Sequence, residues 1–179
     1  GTNAYLYSAG TPYDMKTLTN VGYTNGYPSD DGTSGGAYEQ TYNSTGTVLF
    51  WGPSSTKKVR QFSLSTPWNA STINSTAVHT LDLTAGSGPA SINCGTVSDD
   101  GKYIYAVWNT AIYQWTLSTP FDLSTASYTN KKNNIVTATV QSIKISPDGT
   151  QIICMKGTEL KSYTLSTAWD ITTITYDNK

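Results

Sequence analysis

The sequence predicts an all-β protein of tandem four-stranded antiparallel units, β-propeller-like and amounting to about three and a half blades. Three observations predict it: a segment repeated four times, a glycine-ended polar turn upstream of three of its copies, and a composition that suits sheets and not helices.

The repeated segment reads YLYSAGTPYD at Tyr5 to Asp14 and RQFSLSTPWN at Arg60 to Asn69. It returns as YQWTLSTPFD at Tyr113 to Asp122 and KSYTLSTAWD at Lys161 to Asp170. The anchors Pro12, Pro67, Pro120 and Ala168 recur at intervals of 55, 53 and 48 residues, a period that fits a four-stranded blade with generous loops. The upstream block reads YNSTGTVLFW, VSDDGKYIYA and ISPDGTQIIC, and its turns end in Gly46, Gly101 and Gly149. Glycine serves turns that need positive φ, and Asp, Asn, Ser and Pro favour the positions before it. The apolar run after each turn reads as a buried strand.

The third copy shows a whole unit. Strand A is expected over about Ser91 to Ser98, ahead of the Asp99-Asp100-Gly101 turn, and strand B over about Tyr103 to Trp108. A tight turn at Asn109-Thr110 leads to strand C, about Ala111 to Leu117, and a loop through Asp122 leads to strand D, about Ser124 to Thr129. In strand C, period-two alternation sets Phe62 with Leu64, Trp115 with Leu117 and Tyr163 with Leu165 on one face. Gln61, Gln114 and Ser162 fall on the other. The aromatic after the loop, at Tyr13, Trp68, Phe121 and Trp169, reads as a plug over the sheet edge or against the next blade. The first copy carries only strands C and D. The expected organisation is a single repeat domain, with a partial blade over 1–36 and blades over 37–86, 87–135 and 136–179. The stretches Tyr27 to Gly36 and Thr84 to Pro89 read as loops too short to separate domains.

Composition agrees. Thirteen tyrosines and five tryptophans stand among abundant Thr, Ser and Asn, which rank low in helices and suit pleated surfaces. Only 13% of residues are charged, and the net charge of -1 offers no basic footprint for nucleic acid. No apolar run approaches the roughly 20 residues of a membrane span. Cys94 and Cys154 are too few for a disulfide scaffold and read as buried free thiols, with a single disulfide as the alternative.

The blocks LSTPW, LSTPFDLSTASY and LSTAWDITTITY, with the SPDG turn, resemble a β-propeller-type repeat family found in bacteriophage virion proteins and in bacterial surface or secreted proteins. The resemblance runs from about Tyr42 to Tyr176 and more weakly over Tyr5 to Thr19. It departs at Asn69, where the family has Asp, at the Asn43-Ser44-Thr45-Gly46 turn, and at SAGTPYD in the first copy. It implies a propeller fold, a structural role in a virion or at the cell surface, and no catalytic residues, cofactor or metal.

The residues themselves point the same way. The single histidine, His79, reads as structural, and no G-x-S-x-G elbow is present. Asp30-Asp31, Asp99-Asp100 and Asp148 lack calcium-loop spacing and read as turn residues. No carboxylate pair stands out as a glycosidase pair. Asn43, Asn69 and Asn74 head N-x-[ST] sequons, which a secretory eukaryotic or archaeal host would glycosylate and which chance otherwise explains. Trp51, Trp115 and Trp169 read as core, whereas Trp108 and Tyr128 sit near turns where they could stack on sugars. The leading expectation is a non-enzymatic structural or interaction module, a tail fibre or decoration protein for instance, that self-associates or docks into a larger assembly. A carbohydrate-binding adhesin is the first alternative and a propeller enzyme the second.

Overall fold

The computed structural model describes residues 4–9, 16, 18–24, 37–53, 57–84, 88–135 and 140–177. Side chains are described for Lys16 and, Pro53 apart, from Gln40 onward. Tyr13, Asp30-Asp31 and the 27–36 loop lie outside the described residues.

The first sheet pairs β1 (Ala4–Ala9) with β2 (Leu18–Thr24). The second holds β3 (Ala37–Tyr42), β4 (Val48–Pro53), β5 (Lys58–Ser63) and β6 (His79–Asp82). The third holds β7 (Cys94–Val97), β8 (Tyr103–Trp108), β9 (Ala111–Leu117) and β10 (Ala126–Asn134). The fourth holds β11 (Ser142–Ile145), β12 (Gln151–Lys156), β13 (Glu159–Leu165) and β14 (Ile174–Tyr176). Every sheet is an antiparallel meander in chain order, and no α-helix occurs among the described residues. The A strands β3, β7 and β11 lie side by side, as the inner strands of neighbouring propeller blades do. The chain is all-β, with propeller-like units.

Two strand boundaries differ from expectation. Strand A of the third unit is shorter, covering only Cys94–Val97. Strand D starts later and runs further, over Ala126–Asn134, for two local reasons. The Asp122 carboxylate accepts the Ser124 N–H and caps a 3-10 turn over Leu123–Thr125, which takes up the start of the expected strand. A bulge between Tyr128 and Lys131 then renews the pairing with β9. Matching 3-10 turns occupy Ala70–Thr72, capped by Asn69, and Ile171–Thr173, capped by Asp170.

Each four-stranded sheet closes one corner in the same way. Trp68, Phe121 and Trp169 have φ of 60°, 60° and 66°, and their backbone N–H groups donate to Gly46, Gly101 and Gly149 at 2.9 Å. Each ring lies flat over that glycine, so that a Cβ there would sit 2.5, 2.4 and 2.2 Å from ring carbons. The glycines also carry φ of 70°, 74° and 73°. Backbone conformation and the close ring therefore demand glycine independently. Leu64, Leu117 and Leu165 are buried beneath the corner, as are Phe62, Trp115 and Tyr163. The apolar core lies mostly between sheets: one cluster joins Tyr105, Val107 and Ile112 of the third to Ile152, Tyr163 and Ile171 of the fourth. A single blade therefore has little core of its own.

Candidate interaction surface

The second-to-third and third-to-fourth junctions share one latch, built on the 3-10 turn of the later sheet. At the second-to-third junction, the Gln61 side-chain oxygen accepts the Leu123 N–H at 2.7 Å. At the third-to-fourth junction, Gln114 accepts the Ile171 N–H at 3.3 Å. These glutamines are buried, and the helix-like turns they meet bury Leu123 and Ile171. A nitrogen side chain on strand D then meets the turn carboxylate. His79 Nε2 lies 3.7 Å from Asp122, and Lys131 Nζ lies 2.8 Å from Asp170. Burial works to raise the Asp170 carboxyl, but hydrogen bonds from Lys131 and Thr172 outweigh it and hold the group below the usual carboxylate range. The Ser124 hydroxyl, and to a smaller extent His79, hold Asp122 low. An aromatic completes the latch: Phe50 packs against Phe121, and Tyr103 stacks on Trp169 at 5.8 Å. The Tyr105 hydroxyl also donates to the Trp169 carbonyl at 3.0 Å.

Gln61 and Gln114 were expected on the strand face opposite Phe62 and Trp115, with no role assigned. They are in fact the polar anchor of each junction. A polar residue recurring inside an otherwise apolar strand was the available signal.

The fourth sheet offers the same face with nothing described against it. Forty-eight residues separate equivalent positions in the third and fourth units. Tyr105, Val107, Ile112 and Gln114 of the third sheet are 0%, 0%, 0% and 1% exposed. Their counterparts Ile153, Met155 and Leu160 are 50%, 40% and 69% exposed, and Ser162 is half-buried. With Tyr176 beside them, these side chains make an apolar face of the kind that marks interaction sites. Lys156 and Lys161 flank it, each within reach of Glu159 at 3.7 and 3.4 Å. Lys161 also sits over the Tyr176 ring.

The remaining sequence-predicted residues divide. Trp68 is 54% exposed, whereas Phe121 and Trp169 are half-buried under the aromatics of the preceding sheet. Trp51 and Trp115 are core, but Trp169 is a half-buried junction residue, which corrects its reading as core. Tyr128 packs on Trp115 at 5.0 Å, so one ring face is taken. Trp108 is half-buried at the rim of a cleft of about 450 Å³ lined also by Asn109, Tyr113, Lys132 and Asn134. Asn43 is buried, accepts from Thr47 and Val48, and donates its amide to Thr45 and Thr47. This favours the chance reading of its sequon, because a glycan would replace one of the two donating N–H groups of a buried amide. Asn74 is exposed, and Asn69 is the half-buried cap already described.

The chemistry candidates resolve into turn geometry. Asp122 already accepts the Ser124 hydroxyl at 2.6 Å and its N–H at 3.0 Å, so Ser124 and His79 both face one carboxylate oxygen. A hydrolytic triad needs histidine between serine and aspartate, and this order fails it. Asp100 and Asp148 accept from Ser98 and Ser146 within their own turns, and Asp99 pairs with Lys144 at 3.2 Å. No cluster of three metal-ligating side chains occurs among the described residues. Cys94 and Cys154 are buried thiols outside any disulfide, and burial pushes the Cys154 thiol up, away from the reactive thiolate.

No protein-family model matches the chain, and no curated protein matches it. Solved structures do. A protein of Bacteroides fragilis, named provisionally as a 6-phosphogluconolactonase, superposes at a TM-score of 0.57 with 13% identity over 93% of this chain and 42% of its own. The β-propeller domain of Cps50 (Swd1) from Myceliophteria thermophila gives 0.50 with 15% identity over 80% and 40%. A chain of the mitotic checkpoint complex gives 0.51 with 14% identity over 88% and 41%. The likeness is one of fold, and the chain spans about two fifths of each of these structures.

Proposed function

We propose that this chain is a non-enzymatic docking module that joins a larger protein assembly through the outward face of its fourth sheet, in a phage virion or an extracellular bacterial structure. The observation that carries the reading is the exposure of Ile153, Met155 and Leu160 at positions whose third-sheet equivalents are fully buried. The low charge and dense antiparallel pairing suit a rigid platform, and a chain of similar fold belongs to the mitotic checkpoint complex named above. The virion or surface location rests on the LST-aromatic-Asp repeats. Cross-linking mass spectrometry in the producing cell tests the docking. Lys156 and Lys161 should give cross-links to another molecule, and cross-links confined within one chain would overturn it.

A second reading is carbohydrate binding. It is favoured by the cleft of about 450 Å³, whose lining includes Trp108, Asn109 and Asn134. A glycan array in which Trp108→Ala removes a signal would support it, and a blank array at millimolar ligand would end it.

A further inference from the structure

We propose that the cleft beside Trp108 takes a sugar that carries a carboxylate, a uronate or a sialate, and that Lys132 selects it. The inference rests on the carbohydrate reading above and names the ligand class.

The cleft opens where the third sheet turns from β8 into β9. Its volume of about 450 Å³ falls within the roughly 300–1,000 Å³ usual for ligand clefts. Asn109, with φ of 53°, makes the hairpin turn, and its backbone N–H donates to the Asn93 side chain at 2.7 Å. That bond ties the turn to the segment just ahead of β7 and so holds one wall in place. Strand β10 supplies the other wall, with Lys132 opposite Tyr113 and Asn134 opposite Ala111. Alternation along β10 sends the neighbouring lysine elsewhere, to Asp170 at 2.8 Å.

The side chains around the cleft set the chemistry of its ligand. Lys132 lies over the Tyr113 ring at 5.3 Å, and among the described residues no carboxylate pairs with it. No Asp or Glu stands among the described residues that line the cleft. The lysine charge is therefore left for an anionic group. Asn109 and Asn134 are exposed, and their side-chain amides make no hydrogen bond among the described residues. An amide donates and accepts at once, as sugar hydroxyls require. Half-buried Trp108 adds apolar surface for the C–H face of a sugar ring.

The repeat itself separates this set from the scaffold. The corner aromatic, its leucine and its glycine recur in each four-stranded sheet, but Trp108 and Tyr113 do not. Pro53 and Arg60 hold their places in the second sheet, and Lys156 and Lys161 hold them in the fourth. Strand pairing fixes that register, because Trp51 faces Arg60, Ala106 faces Tyr113 and Cys154 faces Lys161. Building a blade therefore needs neither aromatic, and the chemistry of the cleft is particular to the third unit.

A glycan array carrying uronate- and sialate-ended glycans, their neutral parents and sulfated forms tests this on the purified protein. Carboxylated glycans should bind about fivefold or more tightly than their neutral parents. Lys132→Gln, at an exposed position, should leave the melting temperature unchanged and bring the two classes within about twofold of each other. A carboxylate preference that survives Lys132→Gln places the site elsewhere and overturns the proposal. Equal binding of carboxylated and neutral glycans, or binding of sulfated glycans alone, also overturns it, while the carbohydrate reading stands. If no glycan binds, both fall.

Discussion

The third and fourth sheets carry the same repeat, yet one hides what the other shows. Tyr105, Val107 and Ile112 sit against a neighbour, while Ile153, Met155 and Leu160 face outward from equivalent points of an equivalent strand ladder. Strand pairing, turn type and corner geometry are the same in both. The difference teaches that burial in this protein belongs to the junction and not to the blade. Hydrophobic side chains reach the core only when a second sheet arrives to cover them, so each blade depends on its neighbours for stability.

Substitution can break this comparison directly. Ile112→Ala should destabilise the protein by about 2–5 kcal/mol in chemical denaturation, while Leu160→Ala should fall within about 0.5 kcal/mol. Equal costs would mean that both faces are covered in solution. The corner glycines come next. Gly101→Ala and Gly149→Ala combine a positive φ with a ring at 2.4 and 2.2 Å, and each should cost about 2–4 kcal/mol. Gly157, with φ of 60° but nothing within 4 Å, isolates the backbone share, so Gly157→Ala should cost about 1 kcal/mol.

The latch sharpens the contrast further. Gln114→Ala leaves the buried Ile171 N–H without its acceptor and should cost about 1–3 kcal/mol, whereas Ser162→Ala in the open face should be near neutral. The smallest effect is that of pH. Asp122 and Asp170 have folded pKa values below their unfolded ones, so their stabilisation is present above about pH 4 and is lost as pH falls through the folded values. Acid titration of the melting temperature should show this decline. Lys131→Ala should flatten it by about 0.5–1 kcal/mol, the modest worth of a partly exposed pair.

Some of this was legible in the residues. The glycine turns, the alternating strand C and the aromatic after each loop are local patterns, and they placed a meander of short strands before any contact was known. Tyr13 in the first repeat lies outside the described residues, so its corner rests on sequence alone. The functional surface was less legible. Alternation correctly put Gln61 and Gln114 opposite Phe62 and Trp115, but both faces of a central blade are buried, so polar did not mean outward. Asn43 likewise read only as the head of a sequon, although its side chain is consumed by the turn that it builds.

The sequence by itself determined the unit: its length, its four strands, and the glycine that each aromatic corner requires. Those follow from backbone sterics and period-two patterning, which act over a few residues and repeat wherever the residues repeat. Only the tertiary structure decided which faces are covered, that a glutamine is the anchor of a junction, and that Trp68 and Leu160 stand open while their counterparts do not. Coverage is set by what arrives from a distant part of the chain or from another molecule, and no local pattern encodes an arrival.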